Sequence, residues 1–225
     1  MPSDSRRVVI AIDGPAGAGK SSLARRLAQR LGFTYIDSGA MYRAVALWAI
    51  RQNLDTGDLH RMEQLARAAG IELQPAGPRV LLNGEDITAA IRTAEIGRHA
   101  SVVAAIPGVR RALVEKQRAL GERTSVIMEG RDIGSVVFPD ARVKIFLDAD
   151  PSERVRRRAV ELPDEHPETL AAQIAERDQR DRNRTESPLL QAPDAAYLDS
   201  TGMTPEQVEE AILGIVRAKL SNGKP

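Results

Sequence analysis

The chain has 225 residues, of which 42% are hydrophobic and 28% are charged, a composition typical of a globular protein with one sizeable core. Its formal net charge of +1 and its lack of cysteine exclude a strong overall attraction to polyanions, disulfides, cysteine-ligated zinc and cysteine nucleophiles. Residues 1–7 lack the apolar core of a secretory signal, and the longest apolar run, residues 44–50, is too short to cross a bilayer.

The first predicted element is a buried strand over residues 8–12, which runs directly into a glycine-rich loop. Residues 14–21 read GPAGAGKS and match the pattern G-x-x-x-x-G-K-[ST] at every fixed position. The amides of such a loop surround an anionic phosphate, and the helix that follows directs its positive N-terminal end toward it. We predict a nucleoside triphosphate site formed by Gly14, Pro15, Ala16, Gly17, Ala18, Gly19, Lys20, Ser21 and Ser22. Lys20 can reach the outer phosphates, and the Ser21 hydroxyl is the predicted Mg²⁺ ligand.

A second predicted strand, residues 33–36, leads into the sequence DSGAMYR at residues 37–43. Strand ends of open α/β sheets are the places where ligands bind. Capping of the next helix accounts for Asp37 or Ser38, and Arg43 could hold a phosphate through two parallel hydrogen bonds. The spacing of Tyr42 and Arg43 leaves a ligand site and an ordinary helix surface equally open.

The sequence pattern of residues 55–105 predicts a small insert carried on the main sheet. A short helix is expected to begin at Asp58, and the apolar segments 71–73 and 79–82 are followed by Asn-Gly at 83–84, a strong hairpin signal. Two further helices are expected to begin near residues 93 and 107 and to carry Ser101 and Arg110. From residue type alone, these two side chains are interpreted as solvent-exposed.

A third predicted strand, residues 125–128, ends in EGRDIG at residues 129–134. Arg131 and Asp132 between two glycines indicate a ligand site, and the alternative is a turn closed by the aspartate side chain. Residues 143–147 and 196–199 are the fourth and fifth predicted strands. Helix-start signals follow each of them, at residues 150–153 and 204–207.

Two arginine-rich helices are predicted between the fourth and fifth strands. The first carries arginines at 154 and 156–158, whose role the pattern leaves open, and the second runs from about residue 167 to 184. Arg177, Asp181 and Arg184 follow i, i+4, i+7 spacing and are predicted to share one helical face. Such a face is ordinarily a solvated, salt-bridged surface. Beside a triphosphate loop it could also be a mobile lid that places guanidinium groups on a transferring phosphate.

The alternation of strands and helices predicts an α/β fold with a five-stranded parallel sheet and helices on both faces. With the phosphate loop, this is the architecture of a P-loop NTPase. We expect the core to comprise residues 6–54, 106–152 and 190–221, the insert residues 55–105, and a helical lid residues 153–189.

Several of these stretches together resemble bacterial cytidylate kinases, and the resemblance covers essentially the whole chain. They are IDGP at 12–15 with the loop after it, DSGAMYR at 37–43, IRT at 91–93, GRDIG at 130–134, VVFPDA at 136–141, and the segment 177–184. The resemblance implies that the γ-phosphate of ATP is transferred, with Mg²⁺, to CMP or dCMP. It also implies that the insert binds the nucleoside monophosphate.

The resemblance further assigns roles to individual residues. Ser101, Arg110 and Asp132 would read the cytosine ring, which replaces the solvent-exposed interpretation of the first two. Arg177 and Asp181 would contact the sugar and the nearby phosphate, and Ser38, Tyr42, Arg43, Arg131 and Arg184 would complete the substrate site. Lys20, Arg131 and Arg184 are the expected catalytic residues.

Three alternatives are weaker. The sequence lacks the Asp-Gly-Phe-Pro-Arg stretch of adenylate kinases and the Asn-Lys-x-Asp guanine reader of GTP-driven switches. The near-neutral charge and the acidic neighbours of the basic helix disfavour a nucleic-acid-binding module. We therefore expect a cytoplasmic monomer whose partners are ATP and CMP or dCMP, without nucleic acid or membrane contacts.

The phosphate loop generates a first prediction. Lys20→Ala should lower phosphoryl transfer by orders of magnitude while leaving the fold intact, because it removes a charge directed at the β- and γ-phosphates. Steady-state kinetics and circular dichroism of the purified variant test it. Turnover near that of the unmodified chain would place the active site elsewhere.

Overall fold

The computed structural model describes residues 7–74 and 79–221. The absence of a secretory signal was predicted for residues 1–7. Of these, only residue 7 lies within the described ranges. The strands are β1 (Val9–Asp13), β2 (Thr34–Asp37), β3 (Ile71–Leu73), β4 (Val80–Leu82), β5 (Glu85–Asp86), β6 (Val126–Gly130), β7 (Val143–Asp148) and β8 (Ala196–Asp199). The helices are α1 (Lys20–Leu31), α2 (Ser38–Arg51), α3 (Leu59–Ala68), α4 (Ala94–Val103), α5 (Pro107–Gly121), α6 (Pro151–Glu161), α7 (Pro167–Arg182) and α8 (Pro205–Ser221). A 3₁₀ turn (Ala90–Arg92) and a π-helical turn (Ile133–Val137) complete them.

The central sheet has five parallel strands, as predicted, and the structure gives their order as β2-β6-β1-β7-β8. The chain leaves β1 toward one side to form β2 and β6, and it later returns to the other side to form β7 and β8. Loops at the carboxyl ends therefore diverge around β1 and leave a crevice there. The phosphate loop follows β1 directly, and Asp13 at the end of β1 pairs with Gly130 at the end of β6.

Apolar side chains cover the sheet on both faces. On one face, α1 and α8 place Leu27, Ile212 and their neighbours against Ile10 and Ile145. On the other face, Val114 of α5 and the π-helical turn pack on β1, β2 and β6. The predicted helix–sheet–helix layering is confirmed. Of the described helices, none is long and apolar enough to cross a membrane.

The insert forms a second, antiparallel sheet in the order β3-β4-β5. The turn between β4 and β5 holds Asn83 at φ 52° and Gly84 at φ 85°, the left-handed conformations that a two-residue hairpin turn needs, so the predicted hairpin is confirmed. Side chains of the insert, such as Met62 and Ile91, share one apolar cluster with α2 and α5. The insert thus packs on the helices that follow β2 and precede β6.

Most predicted helix starts have the expected caps. The side chain of Asp37 accepts a hydrogen bond from the amide of Ala40, and the Thr204 hydroxyl accepts one from Gln207. The predicted end of α7 is wrong. The helix stops at Arg182, because the chain reverses and the Asp181 carbonyl accepts a hydrogen bond from the amide of Leu189 at 2.8 Å. Arg184 therefore lies beyond the helix rather than on its face.

The hairpin turn allows a matched pair of substitutions. No side chain or loop atom lies within 4 Å of a methyl group built on Gly84 or on Gly214, and only Gly84 has a positive φ. Gly84→Ala should lower the free energy of unfolding by about 1 kcal/mol through backbone strain. Gly214→Ala, in the exposed middle of α8, should raise it by about 0.5–1 kcal/mol through helix propensity. Urea unfolding measures both, and equal signs for the two changes would contradict the assigned turn.

Candidate active site

A cleft of about 480 Å³ opens at the carboxyl edge of the central sheet, between the phosphate loop, α2, α4 and α7. All the expected monophosphate-binding residues line it: Ser38, Tyr42, Arg43, Ser101, Arg110, Arg131, Asp132, Arg177, Asp181 and Arg184. Of the predicted loop residues, Ala16, Gly17, Gly19, Lys20, Ser21 and Ser22 line the same cleft. Gly14, Pro15 and Ala18 are not part of its wall. The two halves of the predicted site therefore face one space.

Lys20 is the first residue of α1, and its side chain lies folded back over the loop. Only 5% of the residue is exposed, and its Nζ donates a hydrogen bond to the Pro15 carbonyl at 2.6 Å. Burial, together with the positive charge of Arg131, lowers the pKa of Lys20 to about 7. An anionic ligand beside Nζ would oppose both effects and favour the charged lysine.

Asp13 ties the phosphate-loop strand to the turn that follows β6. Its carboxylate accepts hydrogen bonds from the amides of Ile133 at 2.8 Å and Gly134 at 2.7 Å. Burial raises the pKa of this carboxyl to about 7, although the two amides act in the opposite direction. The loop and the Arg131–Asp132 turn are thereby fixed relative to each other.

The start of α2 provides an anchored arginine. Asp37 caps the helix with one carboxylate oxygen and accepts a hydrogen bond from Arg43 Nη2 at 2.8 Å with the other. The Ser38 hydroxyl donates to the Glu129 carbonyl at 2.6 Å, which joins α2 to the end of β6. Among the described residues, nothing pairs with the buried Nε of Arg43.

Arg110 and Asp132 form a buried ion pair, with 2% and 4% of the residues exposed. The guanidinium also donates to the Ala104 carbonyl at 3.1 Å and lies over the Tyr42 ring, 5.5 Å from its centroid. The solvent-exposed interpretation of Arg110 is wrong, because Asp132 lies 22 residues away in the chain and only folding brings the two together.

Ser101 is equally buried, with 3% exposed, so its solvent-exposed interpretation is also wrong. Its hydroxyl accepts a hydrogen bond from Arg180 Nη1 at 2.8 Å. This contact joins α4 of the insert to α7 across the cleft. Arg180, which also pairs with Glu176 one turn earlier in α7, is a cleft residue that motif and spacing did not predict.

Asp181 is the centre of an arginine cluster. It is fully buried and pairs with Arg131, whose Nε lies 2.8 Å from the carboxylate, and with Arg184. Arg177 lies in the same cluster, and burial together with the charge of Arg131 lowers its pKa to about 10. Within the described ranges, the buried Nε atoms of Arg177 and Arg184 have no hydrogen-bond partner. The cluster thus carries more positive than negative charge and suits a phosphate.

The role of the basic helix α6 is decided by its contacts. Arg154 is buried beside Asp178 of α7, and Arg157 donates to the Ala18 carbonyl at 3.2 Å. Arg156 is exposed and pairs with Glu153 within the helix. Two of the four arginines therefore support the phosphate loop, a role that helical spacing alone could not distinguish from a solvated face.

Comparison with known proteins identifies the family. The sequence model described as Cytidylate kinase matches residues 10–218. The chain belongs to the cytidylate kinase family. A cytidylate kinase of Solibacter usitatus is 64% identical over 225 residues, covering 97% of this chain and 96% of that protein. One from Citrifermentans bemidjiense is 48% identical over 222 residues, covering 96% and 95%.

A solved structure of an uncharacterized protein from Eubacterium ventriosum superposes with a TM-score of 0.54 at 13% identity, covering 94% of this chain and 99% of that one. At this identity the likeness concerns the fold alone. Family membership confirms the predicted resemblance: the chain is a nucleoside monophosphate kinase that acts on CMP, and an ATP-dependent phosphotransferase. The roles of single residues stay predictions at this point.

Proposed function

We propose that this cytidylate kinase transfers the γ-phosphate of ATP to CMP or dCMP within the cleft described above, giving ADP and CDP or dCDP. The supporting observation is that the phosphate loop and every expected monophosphate-binding residue line one cleft. A phosphate donor at the loop and an acceptor at the arginine cluster would then face each other, as in-line transfer requires.

The donor subsite is the phosphate loop, where Lys20 would reach the outer phosphates of ATP. The described residues contain no group of three or more His, Asp or Glu side chains able to cage a metal. This fits Mg²⁺, which keeps several waters and binds mainly through phosphate oxygens. Ser21, on the cleft wall, would hold it through its hydroxyl. When bound, Mg²⁺ neutralises charge on the β- and γ-phosphates.

The acceptor phosphate would be held by Tyr42, Arg43, Arg131 and Arg184, with Ser38 as a further substrate-binding residue. A phosphate monoester loses its second proton near pH ~6, so the attacking oxygen is already charged at neutral pH and needs no general base. That oxygen forms a bond to the γ-phosphorus while the bond from phosphorus to the β–γ bridging oxygen breaks, and the electron pair leaves on ADP. Lys20, Arg131 and Arg184 would stabilise the charge on the transferring group.

The base subsite would consist of Ser101, Arg110 and Asp132. Cytosine has an amino donor beside ring acceptors, which the Asp132 carboxylate and the Arg110 guanidinium complement. Uracil has a carbonyl where cytosine has the amino group, and that carbonyl would face a carboxylate. Because both protein groups are buried, a mismatched base leaves the donor and acceptor positions that face it without a partner, and this discriminates strongly.

We further propose that residues 55–105 are the monophosphate-binding insert and residues 153–189 the lid, which close over the nucleotides to exclude water. Arg177 and Asp181 of α7 would contact the sugar and its phosphate. The contact between Arg180 and Ser101 already spans the insert and the lid. We propose that the enzyme is a cytoplasmic monomer, and sedimentation of the purified chain tests the oligomeric state.

Base recognition is tested with a panel of acceptors. In a coupled assay of ADP formation, kcat/KM should be highest for CMP or dCMP, lower for UMP and lowest for AMP and GMP. Arg110→Met should narrow the difference between CMP and UMP, because the donor to the ring acceptors is lost. Equal efficiency of the unmodified enzyme with CMP and AMP would refute the assignment of the base subsite.

Arg184 is tested against Arg182, its neighbour at the end of α7. Arg184 lines the cleft, whereas Arg182 is exposed and lies outside it. Arg184→Ala should lower kcat and kcat/KM for CMP together by about a hundredfold, equivalent to about 3 kcal/mol. Arg182→Ala should change them little, since an exposed charge contributes ~0–1 kcal/mol. Stopped assays measure the kinetics of both variants, and thermal melts verify that they fold. If neither substitution changes the kinetics, the lid has no part in the mechanism.

A further inference from the structure

A buried ion pair joins the two helices of the proposed lid at their base. Arg154 comes from the first turn of α6 and Asp178 from α7, and 5% and 4% of these residues are exposed. Arg154 Nη1 contacts Asp178 Oδ2, and Asp148 lies 3.9 Å from Arg154 Nε as a more distant counter-charge. Neither partner of the pair has a place in the proposed chemistry.

The pair is bonded to the backbone of the phosphate loop. Arg154 Nη1 donates to the Ala16 carbonyl at 3.1 Å, and the Ala16 amide donates to Asp178 Oδ1 at 3.3 Å. Both backbone polar groups of one loop residue are therefore held by one ion pair. Arg154 Nε also donates to the Ala149 carbonyl at 3.0 Å, which fixes the guanidinium to the segment between β7 and α6.

The loop and α6 are also in close steric contact at this point. A methyl group on Gly17 would lie 3.0 Å from the Arg154 carbonyl oxygen and 3.1 Å from its Cβ, so a side chain there would push α6 away. One turn later, Arg157 donates to the Ala18 carbonyl. Three successive loop residues are thus in contact with the same helix.

From these contacts we infer that Arg154 and Asp178 are positioning residues, which set the phosphate loop for ATP and connect it to the lid helices. The inference rests on the proposed function, in which the loop binds ATP and α7 binds the monophosphate. Because the amide and the carbonyl of Ala16 are both held by the pair, the loop conformation is fixed at this residue. Asp178 lies between Arg177 and Asp181 in the chain. A shift of α7 at the proposed monophosphate site would therefore also move the side chain that bonds to the loop.

The bonds to Ala16 distinguish this role from stabilisation of the fold. Replacing a buried ion pair by apolar side chains of similar size is often neutral or stabilising. Apolar side chains cannot bond to the Ala16 amide and carbonyl, however. A double substitution can therefore preserve the packing of α6 on α7 while it removes the two bonds to Ala16 and the bond from Arg154 to the Ala149 carbonyl.

The test is ATP binding in the absence of CMP, measured by isothermal titration calorimetry on the full chain. The double variant Arg154→Met/Asp178→Leu should raise the ATP Kd about tenfold or more, with a melting temperature close to that of the unmodified enzyme. Asp178→Asn should raise the ATP Kd as well, but with a lower melting temperature, because it leaves the Arg154 charge buried without its partner. Arg156→Ala on the exposed face of α6 is the matched control and should bind ATP normally. With ATP saturating, the KM for CMP should change less than the KM for ATP.

An ATP Kd within about twofold of the unmodified value in the folded double variant would overturn the inference. Failure of both variants to fold would also overturn it, because the pair would then act on stability rather than on the loop. Failure of the proposed function is recognised separately. In that case the unmodified chain itself would not bind ATP or phosphorylate CMP.

Discussion

The cleft depends on the pairing of arginines with carboxylates inside the protein. Arg43 is held by Asp37, Arg110 by Asp132, and Arg131 and Arg184 by Asp181. Converging guanidinium groups repel one another, and removing them from water is costly. The carboxylates reduce both penalties and keep the side chains in defined positions before any nucleotide binds.

Around Asp181 the arginines outnumber the carboxylates with which they pair, and the resulting positive charge favours an anion in the cleft. Arg43, Arg110 and Arg184 have a buried Nε that, within the part of the chain described, bonds to no protein atom. Among the described residues, no carboxylate lies within salt-bridge distance of Arg177. Its lowered pKa reflects burial and a neighbouring positive charge. The existing pairs hold the guanidinium groups in place, so a phosphate would meet positions that are set before it binds.

Buried charged side chains also hold the phosphate loop in position. The central sheet places the loop and the Arg131–Asp132 turn side by side, because β1 and β6 are adjacent and Asp13 bonds to the amides beyond β6. Helices α6 and α7 then reach the loop through Arg154, Asp178 and Arg157. The proposed donor and acceptor sites therefore lie on elements that are in direct contact with one another.

Local sequence signals determined much of the fold of this protein. The phosphate loop, the order of strands and helices, the caps and the Asn83–Gly84 hairpin follow from residue types within a few positions of each other, because backbone propensities act at that range. The motif stretches also identified the family. Only the tertiary structure decided three other features. They are the burial of Ser101 and Arg110, the end of α7 before Arg184, and the bonds of Arg154 to Asp178 and the loop. Several of these contacts join residues far apart in the chain: Arg110 and Asp132 are 22 residues apart, and Ala16 and Asp178 are 162 residues apart. A single sequence shows which arginines exist, but which of them are buried beside a carboxylate depends on how the helices pack on the sheet.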